Sequence, residues 1–340
     1  MKINTLSPEE SARWDEYAGS YPEATFFHLS SWRQVLEGAF GHPCPYLMAE
    51  QDGEIQGILP LGHIKSRLFS NALISTPFCV YGGVVASNER AGKALEQAAI
   101  DMAHQLGVDY LELRCLNASA SARLSKDLYV TFRKELDPDP EVNLKAVPRK
   151  QRAMIRKGIK AGLTSVIDED VDRLYEVYAE SVRNLGTPVF PQPYFRQLKE
   201  TFGDACEILM VEYRGEPVAG VMNFYFRDQV LPYYGGGTTA ARALKANDFM
   251  YWEVMRRAVE RGVKLFDFGR SKKGTGSYRF KTHWGFEPQP LDYQYELIRA
   301  RDLPDINPLN PKYQLFIKAW QNLPLPVSKL VGPWLAKSLG

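Results

Sequence analysis

The chain has 340 residues, 45% hydrophobic and 24% charged, with 42 Lys and Arg against 40 Asp and Glu. That length suits about two domains of ordinary size, and the composition excludes a mainly disordered, collagen-like or disulfide-scaffold protein. The near cancellation of charge argues against a wholesale polyanion binder. No uninterrupted apolar run reaches the ~18 residues of a spanning helix. Met1-Lys2-Ile3-Asn4 meets Glu9 and Glu10 before any apolar core, unlike a signal peptide. Cys44, Cys79, Cys115 and Cys206 lie far apart, without Cys-x-x-Cys or a matching His pair, and read as small buried hydrophobes in a reducing compartment. The expectation is a soluble cytoplasmic protein without a metal site.

Along the chain, Ser7-Pro8-Glu9-Glu10 predicts a helix start, with a capping box and Pro at the first helical position. Asp52-Gly53 between apolar runs predicts a tight hairpin, because Gly supplies the positive φ the turn needs. A long strand should then run to Tyr81-Gly82-Gly83, followed by a helix over 91–105 that stops at Gly107 and an apolar strand over 110–115. Asp137-Pro138-Asp139-Pro140 opens a join near 138–165. Asp170 opens a helix with Val171, Leu174, Tyr178, Val182 and Leu185 on one face.

The series then returns. Leu47-Met48-Ala49-Glu50-Gln51-Asp52-Gly53-Glu54 reappears as Leu209-Met210-Val211-Glu212-Tyr213-Arg214-Gly215-Glu216, and Tyr81-Gly82-Gly83 as Tyr234-Gly235-Gly236. The stretch from Leu106 to Leu113 reappears from Arg261 to Phe268, so three ordered matches sit at offsets of 162, 153 and 155 residues. The second helix should cover 249–261 and stop at Gly262. An internal duplication of a mixed-sheet α/β unit follows. The expected boundaries are a first domain over 1–140, a basic connecting segment over 141–165, a second domain over 166–300 and a tail over 301–340.

Two stretches carry candidate chemistry. Between Lys145 and Lys160 lie seven cations and no acid, and a helix beginning after Pro148 would put Arg149, Arg152 and Arg156 on one side. That arrangement fits contact with the phosphates of a nucleotide, a tRNA or a lipid-linked sugar, and equally a solvated helix face. The stretch 266–286 reads as a strand, a Gly-rich basic loop and a second strand. Gly269 and Gly274 have the spacing of a phosphate-binding P-loop, but Thr275 stands where the motif needs Lys, and no helix pattern is evident. Strand alternation would set Arg279, Lys281 and His283 on one face and Phe280, Thr282 and Trp284 on the other. A Lys among aromatics is partly desolvated and acts strongly on developing negative charge. The other reading is that Phe280, Trp284 and Phe286 are core and Lys281 snorkels. No Ser, Cys or His triad is patterned, which leaves chemistry in which the substrate brings the nucleophile.

The duplication, the basic join and Tyr278-x-Phe280-Lys281 after Asp267-x-Gly269 resemble the FemAB-type peptidyltransferases, over roughly residues 20–295. The nearest resemblance is to the FemAB-related proteins of exosortase/PEP-CTERM exopolysaccharide systems, through Gly274-Thr275-Gly276-x-Tyr278-x-Phe280-Lys281-x-x-Trp284-Gly285-Phe286. It implies two tandem acyltransferase domains of the GNAT fold. It also implies transfer of an acyl or aminoacyl group, from aminoacyl-tRNA or acyl-CoA, to the amine of a cell-envelope precursor of peptidoglycan or exopolysaccharide. It implies, further, no tightly bound cofactor, the acyl donor being a co-substrate. The family's Phe-Lys pair falls on Phe280 and Lys281, and its pocket tyrosines on Tyr194, within Pro191-Gln192-Pro193-Tyr194-Phe195, and on Tyr234. Arg270, Lys272 and Lys273 would hold phosphates.

The departures concern the acceptor. Leu36 follows Trp32 where muropeptide ligases carry a phosphate-contacting Lys, and Phe190 replaces a second phosphate-binding Arg. Arg114 and Cys115 stand where the first domain's inner strand should end in a carboxylate, and no helical arm interrupts the second half. The expected enzyme is therefore an N-acyltransferase acting on an amine-bearing sugar or peptide precursor, lipid-linked or free. His283 or the substrate itself would supply the base. The rivals are a CoA-dependent acetyltransferase for a small amine and a non-catalytic module that holds RNA or another polyanion on the basic join. After Asp305 the tail has four lysines and no acid, with Tyr313, Phe316, Trp320 and Leu323 at helical spacing. It suits either packing, across the domains or at a dimer contact, which is favoured, or peripheral docking at the inner membrane.

Overall fold

The computed structural model describes residues 1–66, 71–117, 123–304 and 311–338. The chain divides into two compact units, one of residues 1–129, 290–305 and 337–340, the other of 130–289 and 306–336. The first unit runs β1 (Lys2–Thr5), α1 (Ser11–Ser20), α2 (Ser31–Phe40), β2 (Leu47–Gln51), β3 (Glu54–Leu59), β4 (Leu61–Lys65) and β5 (Asn71–Ser75). It continues with β6 (Val85–Ala86), α3 (Glu89–Leu106), β7 (Tyr110–Cys115) and β8 (Leu124–Ser125).

The second unit begins with β9 (Tyr129–Glu135), α4 (Pro140–Ala146), α5 (Arg149–Lys160), β10 (Leu163–Asp168), α6 (Asp172–Leu185) and α7 (Gln192–Phe202). It goes on through β11 (Cys206–Tyr213), β12 (Glu216–Phe226), β13 (Gln229–Gly237), α8 (Ala241–Leu244), α9 (Ala246–Glu260) and β14 (Leu265–Asp267). β15 (Ser271–Lys272), α10 (Gly276–His283) and β16 (Pro288–Pro290) follow. β17 (Asp292–Leu297) returns to the first unit, and α11 (Pro311–Gln321) and α12 (Leu325–Ala336) belong to the second. Among the described residues, no helix is long and apolar enough to cross a membrane.

The duplication is visible in the backbone. Asp52 and Gly53 have φ of 54° and 84°, and Arg214 and Gly215 have 55° and 83°, the two left-handed residues of a twist-matched hairpin turn. Both hairpins also carry a bulge at the same place, between Ala49 and Glu50 and between Val211 and Glu212. Each is flanked by an antiparallel strand, β1 on β2 and β10 on β11. In each unit a helix follows (α3, α9), and then a strand that pairs in parallel, β7 on β5 and β14 on β13. Where one long strand was expected in each half, there are several. Arg227, at φ 53°, turns β12 into β13, and the first half breaks into β3, β4 and β5.

The sheets are β1-β2-β3-β6 and β4-β5-β7-β17-β8 in the first unit, and β10-β11-β12-β13-β14-β9-β15 in the second, with β16 on β9. The strand beside each parallel pair comes from the other half of the sequence: β17 lies antiparallel to β7, and β9 antiparallel to β14. That exchange sets the unit boundaries at 129–130 and 289–290, where the sequence reading had 140 and 300. Residues 141–165 fold as parts of α4, α5 and β10 inside the second unit. Its core packs Phe249, Met250, Trp252 and Met255 of α9 against Leu209, Val221, Val230 and Phe266 of the sheet. Leu185, expected on the apolar face of α6, is 68% exposed.

Candidate active site

The Gly-rich loop leads into a helix where the sequence suggested a strand. Thr275 caps α10, its hydroxyl accepting from Tyr278 N and donating to Lys272 O at 2.7 Å, and Gly285 at φ 77° ends it. Eight residues are too few for period 2 and period 3.6 to separate clearly, and Phe280 and Trp284, four apart, fit both. On a helix Lys281 and His283 no longer share a face; His283 is exposed. His283 therefore loses the geometric case for acting as base beside Lys281.

Lys281 does not snorkel. It is 9% exposed, and its Nζ donates to Gly269 O at 2.9 Å and Arg270 O at 3.0 Å. The nitrogen lies 5.5 Å from the Phe132 ring centre and 5.8 Å from that of Phe268. Burial lowers its pKa from 10.5 to about 7, against the opposing pull of Asp267. Asp267 is itself held by Gly269 N at 2.8 Å, with Arg133 Nε 3.3 Å away. A desolvated ammonium with two N–H groups fixed on carbonyls has one left for an incoming oxygen.

Beside it the sheet opens. β13 pairs with β14 only at Gln229↔Leu265 and Val230↔Phe266, and then continues to Gly237 paired with β12 on its other side. Tyr251 of α9 bridges the opening. Its hydroxyl lies 3.0 Å from where a Gly235 side chain would begin, and its ring packs on Phe268, Phe280 and Trp284 at centroid distances of 4.8, 5.6 and 6.4 Å. Burial pushes the Tyr251 phenol up to about 12, and it raises Tyr178 too, with Tyr251 adding to the effect there. Tyr178 packs edge-on to Tyr234, whose hydroxyl shares a 2.7 Å hydrogen bond with Tyr194. Phe190 lies against both of those rings, so the place of the expected Arg is aromatic wall.

A cavity of about 490 Å³ lies where β13 ends and α9 begins, lined by Ser181, Gly237, Thr238, Arg242, Lys245 and Asp248 among others. A Cβ on Gly236 would stand 2.5 Å from that of Ser181, and one on Gly237 2.6 Å from that of Ala241, so only glycines let the strand run this close. The carboxyl end of a parallel strand beside a helix start suits an anionic ligand. A depression of about 580 Å³ by Asp228, Gly262 and Leu265 is at the opposite, amino end of β14, away from Lys281.

Asp248 joins this cavity to the rest. Its Oδ1 accepts from Trp284 Nε1 at 3.2 Å and from Gln151 Nε2 on the basic helix α5. Burial raises its pKa, and those two bonds pull it down. Asp248→Ala should destabilise the fold by about 1–3 kcal/mol, since two donors lose their acceptor. Urea unfolding measures it, and an unchanged midpoint would show that the bonds are replaceable. On α5, Arg149 and Arg156 are exposed, while Arg152 turns back onto Lys145 O at 2.7 Å.

The structure thus gathers Phe280, Lys281 and, through the tyrosine chain, Tyr234 and Tyr194. It sets Arg270, Lys272 and Lys273 half-buried along the loop before α10. In the first unit Leu36 is fully buried core, and Arg114 is spent on Glu112 Oε1 at 2.7 Å and Cys79 O at 2.8 Å. Sequence reasoning missed Asp248, Tyr251 and Tyr178. The available signal was Tyr251 and Asp248 near the start of the second predicted helix, just after the glycine run.

Residues 149–282 match the family model described as an acetyltransferase (GNAT) domain. FemX has a similar structure, with a TM-score of 0.64 at 15% identity, over 93% of this chain and 100% of that one. The fold is that of tandem GNAT proteins. A tandem GNAT protein from the clavulanic acid biosynthesis pathway matches with a TM-score of 0.57 at 14% identity, over 88% of this chain and 99% of its own. The C-terminal domain of a putative lysylphosphatidylglycerol synthetase from Agrobacterium fabrum gives 0.53 at 12%, over 84% of this chain and 91% of that one. No curated protein is significantly similar in sequence.

Proposed function

We propose that the chain is an N-acyltransferase that moves an acyl or aminoacyl group onto the amine of a cell-envelope or exopolysaccharide precursor, in the second unit. The observation that carries the reading is Lys281, a buried cation with a lowered pKa beside an opened pair of parallel strands. The GNAT domain match over the same unit and the likeness to FemX support it.

The donor, the thioester of acyl-CoA or the ester of aminoacyl-tRNA, presents an activated carbonyl to the opening. The acceptor nitrogen attacks it, the C–N bond forms, and negative charge gathers on the carbonyl oxygen. Lys281 offers its remaining N–H to that oxygen, and the aromatic wall of Phe280, Phe132 and Phe268 keeps water from weakening the interaction. The C–S or C–O bond then breaks, and the amine's proton leaves with the departing thiolate or alkoxide. Tyr234 and Tyr194 orient the acceptor, while Arg270, Lys272 and Lys273 hold phosphates. Incubation with labelled acyl-CoA and with labelled aminoacyl-tRNA tests this. Label appearing on an amine from either pool supports the reading, and label moving from neither refutes it.

Arg149, Arg152 and Arg156 are proposed to add phosphate contacts. Changing all three to Gln should raise the Michaelis constant for the donor and flatten its salt dependence by about one unit of log–log slope per lost contact. An unchanged constant and slope would make α5 a solvated face.

A further inference from the structure

The C-terminal helices present an unusual surface. Leu315, Phe316, Val327, Leu330, Val331 and Trp334 account for six of the eleven exposed large apolar side chains among the described residues, all on α11 and α12. On α12 the usual amphipathic order is inverted. The small Ser328, Gly332 and Ala336 face the protein, and a Cβ on Gly332 would stand 3.0 Å from the Val189 backbone. Val327, Leu330, Val331 and Trp334, at i, i+3, i+4 and i+7, face outward. The tail packs against α6, within its own unit. It packs by its small side and leaves its large apolar side uncovered. The side chains of Lys312 and Tyr313, part of that reading, lie outside the described residues.

We infer that the outer face of α11 and α12 docks onto an anionic lipid surface. Residues 306–340 carry four lysines and no acid. Lys318 and Lys337 are exposed, and Lys329 pairs with Glu176. Apolar side chains with lysines around them lie at the headgroup boundary, where anionic lipid supplies the opposite charge. A second copy is a poorer occupant: α11 and α12 carry no acid to meet the exposed Lys318 of a two-fold partner, and Glu176 beside them is already held by Lys329. α11 also reaches the cavity's wall: Gln321 Nε2 donates to Asn184 O, and Asn184 and Leu185 of α6 line the cavity together with Arg242 and Lys245. A substrate carried in the bilayer would reach the cavity from its own membrane.

The docking is independent of acyl transfer and is read without turnover. The full chain should co-sediment with vesicles of phosphatidylcholine and phosphatidylglycerol, and stay in solution with phosphatidylcholine alone. The double variant Leu330→Ser/Trp334→Ser should weaken binding on the order of tenfold or more, with an unchanged melting temperature. Lys318→Glu should weaken it less, and mainly at low salt. A wild-type chain that stays in solution with both vesicles overturns the inference. So does a wild-type dimer in sedimentation velocity that the double variant splits, because a second copy would then own the face.

Discussion

Replacing Lys281 with alanine should lower the rate of transfer by about 10²–10³, the usual loss for one preorganised oxyanion donor, while the chain stays folded. The nitrogen is fixed by the carbonyls of Gly269 and Arg270 and flanked by Phe132 and Phe268. Single-turnover kinetics on the purified variant measure the loss, and near wild-type turnover would remove Lys281 from the mechanism. Stability should move the other way. Below pH 7 the amine is charged in both folded and unfolded chains, and the fold bears the full cost of burying the charge. Between pH 7 and 10.5 the folded amine gives up its proton first, so that cost fades, and above 10.5 it is gone. Lys281→Met keeps the volume without the charge. It should melt no lower than the wild type at pH 6, with any advantage shrinking as the pH is raised toward 10. A variant that melts lower at pH 6, by more as pH falls, would mean that the buried ammonium stabilises the fold.

Trp284→Ala should destabilise the protein by about 3–5 kcal/mol, the range for removing a fully buried indole. Trp284 has no exposed surface, packs against Tyr251, Phe268 and Phe280, and bonds Asp248. It therefore holds α10, and with it Lys281, against α9. Trp284→Phe should recover much of the stability but leave Asp248 one donor short. Chemical denaturation checks both variants. A loss under about 1 kcal/mol for Trp284→Ala would show that α10 is held by something else.

The repeat was legible because its marks are local. Only a tight turn between apolar runs asks for Asp-Gly or Arg-Gly, and both produced hairpins with the same bulge. The helix stops at Gly107 and Gly262 are legible for the same reason. The exchange of β9 and β17 was not, since which strand completes a sheet depends on edges distant in sequence. The candidate site divides in the same way. Phe280 and Lys281 stand out only through the resemblance, because alternating basic and aromatic residues imitate a strand. The local signals for a helix are the Thr275 cap and Gly285. Asp248 escaped notice because an acid near a helix start looks like ordinary capping until Trp284 and Gln151 are seen on it.

In the proposed function the activated donor binds in the second unit, between the glycine end of β13 and Lys281. Amide hydrogen exchange of the full chain, with and without whichever donor it consumes, addresses this directly. Protection should rise at residues 235–248 and 269–281. Protection confined to residues of the first unit, with these two segments unchanged, would contradict it.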